Sequence, residues 1–154
     1  MANLKNSTIE SVNISGNLEV LGTISQSSPS LISADYSSNT SYTATGPISH
    51  NNSYVESGFN VENSRSRFTV LEEGLYYICW HNISNSGANT TRTRIYVNGS
   101  NRSQARGDAS GTYSMVTAIH LEYLQPGDYI EMVHTNGTIY MTSQYNDFSI
   151  QRIL

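Results

Sequence analysis

Four histidines, one cysteine and a few loop aspartates are the side chains best equipped for chemistry in this 154-residue chain. The histidines are His50, His81, His120 and His134. Zinc sites place imidazoles at His-Glu-x-x-His spacing or beside paired cysteines. Neither pattern occurs, and a single cysteine, Cys79, excludes both a cysteine-based zinc cluster and an internal disulfide. His120 and His134 fall on strand-like segments two hairpin arms apart, which reads as two neighbours in a packed β pair rather than as two ligands. Gly107-Asp108-Ala109-Ser110-Gly111 sets a serine among glycines, but it lacks the Gly-x-Ser-x-Gly elbow and no helix follows it. Asp108, Asp128 and Asp147 lie in loop-like stretches without the Asp-x-Asp-x-Asp-Gly spacing of a calcium loop. There is no P-loop and no dinucleotide fingerprint. These residues lead us to expect no catalytic group, no metal and no cofactor, hence a protein that is not an enzyme.

The composition narrows the partners. Charged residues are 13% of the chain and the net charge is −4, so its surface stays wet through hydroxyls and amides. A nucleic-acid binder needs clustered Lys and Arg. The densest basic group here is Arg92, Arg94, Arg102 and Arg106, which reads as a solvated strand and loop, so no nucleic-acid partner is expected. No stretch approaches the roughly 18 apolar residues of a membrane span, so no membrane insertion is expected. MANLKNSTIE lacks the basic and apolar regions of a signal peptide, and synthesis without export through a cleaved leader is expected. The Asn-x-Ser/Thr triplets, Asn13 and Asn136 beginning two of them, are then chance products of an Asn-, Ser- and Thr-rich chain. Tyr, Ser, Asn and Gly suit adaptable recognition, and SNSGANTT at 84–91 and the stretch 98–112 have that character; the same composition also makes an inert soluble surface.

The elements that must position these residues are strands. Apolar–polar alternation with period two runs through the chain, punctuated by Gly, Asn and Ser, which is the pattern of an all-β sandwich or barrel. Asn98-Gly99 and Asn136-Gly137 are hairpin signals, because a type I′ turn needs positive φ at both central residues. Pro126-Gly127-Asp128 marks a further turn, between MVTAIHLEYL and YIEMVH. The N-terminal part reads differently. Val12, Ile14, Leu18, Val20 and Ile24 share one face of an extended strip whose other face is mostly polar, and ISGNLE and VLGTIS repeat a six-residue form. Such a strip must pack on the rest of the chain, on copies of itself or on another protein. The expected organisation is a β strip over 1–28, a Ser-rich linker and first strand over 29–45, and a globular head over 46–154.

One strand stands out. After Glu72-Glu73-Gly74, the segment Leu75 to His81 (LYYICWH) alternates two apolar faces. Tyr76, Ile78 and Trp80 make a core face. Leu75, Tyr77, Cys79 and His81 make a second face that is costly to leave in water. A two-sheet sandwich encloses only one face of each sheet. The second face therefore needs cover, either from another subunit or from a loop of the same chain.

Phe68, five residues, then Gly74-x-Tyr76-x-Ile78-x-Trp80 resembles the signature of the complement-type globular head, a relative of the tumour necrosis factor-like jelly rolls. Tyr96-Val97-Asn98-Gly99 resembles that family's middle hairpin. Leu121 through Gly127-Asp128-x-Ile130-x-Met132 resembles its Leu-x-x-Gly-Asp strand pair, and Phe148-Ser149-Ile150 to Leu154 its closing strand. The sequence departs from the family at Ile78, Val61, Glu56 and His50, where an aromatic, an aromatic or Leu, an Asn or Asp, and a Phe are usual. The likeness covers about residues 34–154. It implies a jelly-roll β-sandwich of about ten antiparallel strands that assembles as a homotrimer. It further implies a core including Phe68, Tyr76, Ile78, Trp80, Ile130, Met132, Phe148 and Ile150, and a trimer interface through Leu75, Tyr77, Cys79 and His81.

The N-terminal repeats resemble the β-structured shafts and attachment segments of bacteriophage fibres. Together the two likenesses imply a virion structural protein: a short homotrimeric fibre or capsid decoration protein at the virion surface. Residues 1–28, through Val12, Ile14, Leu18, Val20 and Ile24, would anchor it to a capsid or tail protein, with adhesion to a host-surface glycan or receptor as a further role. The alternatives are a tail-fibre receptor-binding tip and a stand-alone lectin-like trimeric binding module.

Overall fold

The computed structural model describes residues 31–35, 40–50, 52–85, 90–107, 113–142 and 146–153. The N-terminal strip with its proposed anchor residues, and Asp108 to Thr112 with Ser110, lie outside the described residues. Thirteen strands are described: β1 (Leu31–Asp35), β2 (Thr40–Tyr42), β3 (Gly46–Pro47), β4 (Asn52–Ser57), β5 (Phe59–Glu62), β6 (Arg67–Val70), β7 (Gly74–Asn85), β8 (Thr91–Val97), β9 (Ser100–Gly107), β10 (Tyr113–Leu124), β11 (Tyr129–Asn136), β12 (Ile139–Met141) and β13 (Asp147–Arg152). All pairings are antiparallel.

They form two sheets. The first runs β2-β12-β7-β13-β1-β4 with β10 on the other side of β7, and the second runs β5-β6-β11-β8-β9 with β3 paired to β11. The all-β architecture expected from the alternation is present. The strand number exceeds ten because short pieces such as β2, β3 and β12 pair separately. Two strands occupy the stretch read as linker and first strand: β1 joins β13 and β4, and β2 joins β12.

The core lies between the sheets. Phe68, Tyr76, Ile78, Trp80, Ile130, Met132, Phe148 and Ile150 are all in it, with Ile48, Phe59, Val70, Ile95, Val97 and Leu124. His50, at the place where a Phe is usual in the resembled family, is buried against the Phe148 ring at 4.1 Å and the Phe68 ring at 5.8 Å. Its Nδ1–H donates to the Arg65 carbonyl at 3.1 Å, so the imidazole packs as an aromatic while its polar atom is served by backbone. His134 is likewise buried, its Nδ1–H donating to the Ala44 carbonyl at 2.9 Å.

The two Asn-Gly signals have different outcomes. Asn98 and Gly99 have φ of 52° and 72°, and β8 pairs with β9 across them, a hairpin with positive φ at both central residues. The Asn98 Nδ2–H donates to Asp128 Oδ1 at 2.7 Å, and the Tyr129 N–H donates to Asn98 Oδ1 at 3.0 Å, tying this hairpin to the Pro126–Asp128 turn. Asn136-Gly137 is not a hairpin. Only Gly137 has positive φ, and β11 and β12 belong to different sheets, so the chain crosses the sandwich there. β10 and β11 are also in different sheets. His120 and His134 are therefore not neighbours in one β pair, which corrects that expectation: a tight turn joins strands across the sandwich as readily as along it.

Candidate subunit interface

β7 and β10 lie side by side in unbroken register over twelve pairs, from Gly74 opposite Leu124 to Asn85 opposite Tyr113. Successive pairs point to opposite sides of the sheet. The core side carries Tyr76 with Glu122, Ile78 with His120, Trp80 with Ala118 and Asn82 with Val116. The outer side carries Leu75 with Tyr123, Tyr77 with Leu121, Cys79 with Ile119, His81 with Thr117 and Ile83 with Met115. β13 supplies a third column, with Gln151 beside Tyr77, Ser149 beside Cys79 and Asp147 beside His81. Ile153 extends it, its N–H donating to the Leu75 carbonyl at 2.8 Å.

β10 wears its sides in an unusual order. Its core side is small or polar over Ser114, Val116, Ala118, His120 and Glu122, and only at its end carries a large apolar side chain, the buried Leu124. Its outer side is Tyr113, Met115, Ile119, Leu121 and Tyr123, all between 49% and 66% exposed. Full burial of a large apolar side chain is worth about 1.5–3 kcal/mol, so these five hold roughly 4–8 kcal/mol that the single chain does not use. A contiguous apolar patch of this kind marks an interaction surface.

On β7, Leu75, Tyr77 and His81 are half-buried and Cys79 is buried. The structure thus brings the four residues singled out in the sequence together on this face, and adds a more exposed apolar row on β10. Sequence reading missed that row, although MVTAIHLEYL shows it. Its odd-numbered positions, Thr117 apart, carry most of the large apolar side chains, and inspection alone would turn them inward.

The polar centre of the face is a short chain of side chains. Cys79 Sγ lies 3.2 Å from His81 Nε2, and His81 Nδ1 lies 2.9 Å from Thr117 Oγ1. A thiol beside an imidazole invites comparison with a catalytic dyad, but the electrostatics oppose it. Burial pushes the Cys79 thiol up; a hydrogen bond with Tyr77 offsets part of this and the Asp147 charge adds to it. The Tyr77 hydroxyl is raised in turn, chiefly by its hydrogen bond to Cys79. A reactive cysteine needs a lowered pKa, so Cys79 rests here as a protonated thiol. No cluster of three metal-ligating side chains occurs among the described residues.

At the rim, Glu122 accepts from Arg102 Nη2 at 3.2 Å and lies 2.9 Å from His120 Nε2, so His120 serves an ion-pair cluster where β9 meets β10. Gly107 shows how close that meeting is: a Cβ there would come within 2.6 Å of Val116 Cγ2.

No protein-family model matches this sequence, and no curated protein matches it. Solved structures do. Eiger TNF from S. frugiperda superposes with a TM-score of 0.69 at 8% identity, over 82% of this chain and 93% of that one. Murine APRIL gives 0.66 at 10% identity, over 82% and 100%. The globular domain of zebrafish complement 1qA gives 0.64 at 15% identity, over 82% and 98%. The fold is the tumour necrosis factor-like jelly roll. The likeness read from Phe68 through Trp80 and from Leu121 through Met132 thus has its counterpart in three dimensions, at identities where residue-by-residue matching is faint. In this jelly roll, β7, β10 and β13 form the sheet that bears the apolar outer face, and β8, β9 and β11 lie in the sheet across the core from it.

Proposed function

We propose that this jelly roll is a non-enzymatic binding module that works as a homotrimer, closed through the outer face of β7 and β10. The observation that carries the reading is the outer side of β10, where Tyr113, Met115, Ile119, Leu121 and Tyr123 face outward while, Leu124 apart, small and polar side chains face the core. A cyclic assembly of identical chains is the ordinary way to cover such a face. Leu75, Tyr77, Cys79 and His81 contribute the β7 half of the contact, and Ile119, Leu121 and Tyr123 the β10 half. The jelly-roll fold and the sequence resemblance both agree with three-fold closure.

The biological setting we propose is the surface of a bacteriophage particle. The protein would serve there as a short fibre or capsid decoration protein, joined to a capsid or tail protein through Val12, Ile14, Leu18, Val20 and Ile24. The one-faced apolar strip of residues 1–28 supports this: three copies brought together by the head can bury it on one another or on a particle. The head would face outward and adhere to host-surface glycan or receptor. The test is incorporation. Particles assembled with the intact protein should carry it, and particles assembled with a form lacking residues 1–28 should not. A truncated protein that still joins particles overturns the anchor.

A further inference from the structure

The two Asn-Gly pairs share a dipeptide and an exposed asparagine, but they differ in what holds that asparagine. Asn98 is clamped at both atoms of its side-chain amide. Its Nδ2–H donates to Asp128 Oδ1 at 2.7 Å, and its Oδ1 accepts the Tyr129 N–H at 3.0 Å. The glycine beside it is crowded as well, since a Cβ on Gly99 would meet the Tyr129 hydroxyl at 3.3 Å. Asn136 is the exposed last residue of β11. Among the described residues, nothing hydrogen-bonds to its side-chain amide. Gly137 stands outside both neighbouring strands, with a φ of 83°.

Asparagine is a chemically labile residue, and a following glycine makes it more so. Glycine has no Cβ to hinder the approach of its nitrogen to the asparagine side chain. Ring closure forms a bond from Gly137 N to Asn136 Cγ and breaks the bond from Cγ to Nδ2. The glycine N–H proton leaves with that nitrogen as ammonia, and a cyclic imide remains. Solvent water then opens the imide. Addition at Cγ restores the backbone and leaves aspartate. Addition at the Asn136 main-chain carbonyl carbon leaves isoaspartate, whose backbone runs through Cβ and Cγ. The step is a transamidation followed by hydrolysis, with no change of oxidation state. It requires nitrogen and carbon in attacking geometry. The unheld side chain of Asn136 reaches that geometry by rotation, whereas Asn98 must first break its clamp.

We propose that Asn136-Gly137 is a self-modifying site, which converts through a cyclic imide to aspartate and isoaspartate in the folded protein, while the Asp128–Tyr129 clamp keeps Asn98-Gly99 unreactive. The place of Asn136 gives the change a consequence. It ends a strand of the second sheet, and β12 of the first sheet begins at Ile139. The chain beyond it is anchored at once: the Thr138 carbonyl accepts the Thr91 hydroxyl at 3.1 Å, and Ile139 is buried in the core. Aspartate leaves this link intact. Isoaspartate lengthens it between fixed ends and loosens the join between the sheets. The inference depends neither on the number of subunits nor on what the head binds.

The experiment is ageing of the full chain in mildly alkaline buffer, both folded and in guanidinium chloride, followed by cleavage after arginine and mass spectrometry. Cleavage separates the two pairs, Asn98 falling in the peptide 95–102 and Asn136 in 107–152, and fragment ions assign the converted residue. In the folded chain Asn136 should convert about tenfold faster than Asn98 or more. In denaturant the two rates should converge. Isoaspartyl methyltransferase should label peptide 107–152 of the aged folded protein and not peptide 95–102. Asp128→Ala removes one bond of the clamp and should speed Asn98 while leaving Asn136 unchanged. The aged protein should melt below Asn136→Asp, which carries the aspartate product alone. The proposal is overturned if folded protein converts Asn98 as fast as Asn136, or if neither converts while both do in denaturant. A ratio that persists in denaturant would also overturn it, because sequence and not fold would then set the rates. Equal melting of the aged protein and Asn136→Asp would overturn the loosened join.

Discussion

Asn146 shows how much one side chain holds in this fold. It is fully buried, accepts the Ile83 N–H on its Oδ1 at 3.1 Å, and donates through Nδ2 to the carbonyls of Tyr140 and Thr142 at 2.6 and 2.9 Å. Three backbone groups near the entry to β13 depend on it. Asn146→Leu keeps the volume but strands all three, and should cost about 2–4 kcal/mol, read as a lowered urea midpoint. Cys79 and Tyr77 yield a pH prediction. Both are acids whose folded pKa lies above the unfolded value, the thiol through burial and the phenol through its hydrogen bond to that thiol. The folded chain then holds protons that the unfolded chain releases. Their contribution is whole below the unfolded pKa values and is lost as pH rises through the folded ones, in the alkaline range. Melting temperature should fall as pH is raised past the normal thiol range, and the fall should be shallower in Cys79→Ala. None of the Asn146 network was legible in the sequence, because its partners are main-chain groups of Ile83 on β7, Tyr140 on β12 and Thr142, brought together where β12 and the entry to β13 meet β7.

At the level of elements, β7 and β10 carry the account. The two-sidedness of β7 was legible because LYYICWH is aliphatic, aromatic or Cys at every position, so neither assignment of faces leaves a charged or amide-rich side. That of β10 was not, because a strand with one apolar and one polar face normally points its apolar face inward, and MVTAIHLEYL obeys the pattern while reversing its direction. Register supplied the direction: pairing of Ala118 with Trp80 puts the small residue beside the large one on the core side and sends Ile119 outward. The hairpin at Asn98-Gly99 was legible from its turn chemistry. The crossing at Asn136-Gly137 was not, since the same dipeptide serves a turn within a sheet or between two. If the outer row of β10 is an interface and not part of the fold, charge can be placed there without unfolding the chain. Leu121→Asp and Ile119→Asp should each leave the far-ultraviolet circular dichroism of the head unchanged while releasing monomer. By contrast, Trp80→Ala on the core side should cost about 3–5 kcal/mol and lose the fold's cooperativity with it.

The whole molecule is a sandwich with two different outer faces. One sheet presents apolar rows on β7 and β10 around Cys79, His81 and Thr117; the other presents arginines, Tyr96 and Gln104. In the assembly proposed above, the roughly 4–8 kcal/mol left exposed on each β10 strand would become available where copies meet. The jelly-roll architecture was legible from a handful of spaced aromatics and glycines, because those positions pack the core. The arginine cluster on the other sheet was not legible as a group, since arginines two to fourteen residues apart in sequence become neighbours only through the β8–β9 register. The most direct test of the account is the native mass of the purified protein, by sedimentation equilibrium over a wide dilution series. The account predicts three times the chain mass of 17.0 kDa, held on dilution and reduced to one chain mass by Leu121→Asp. A wild-type protein that sediments as a folded monomer at every concentration would contradict it.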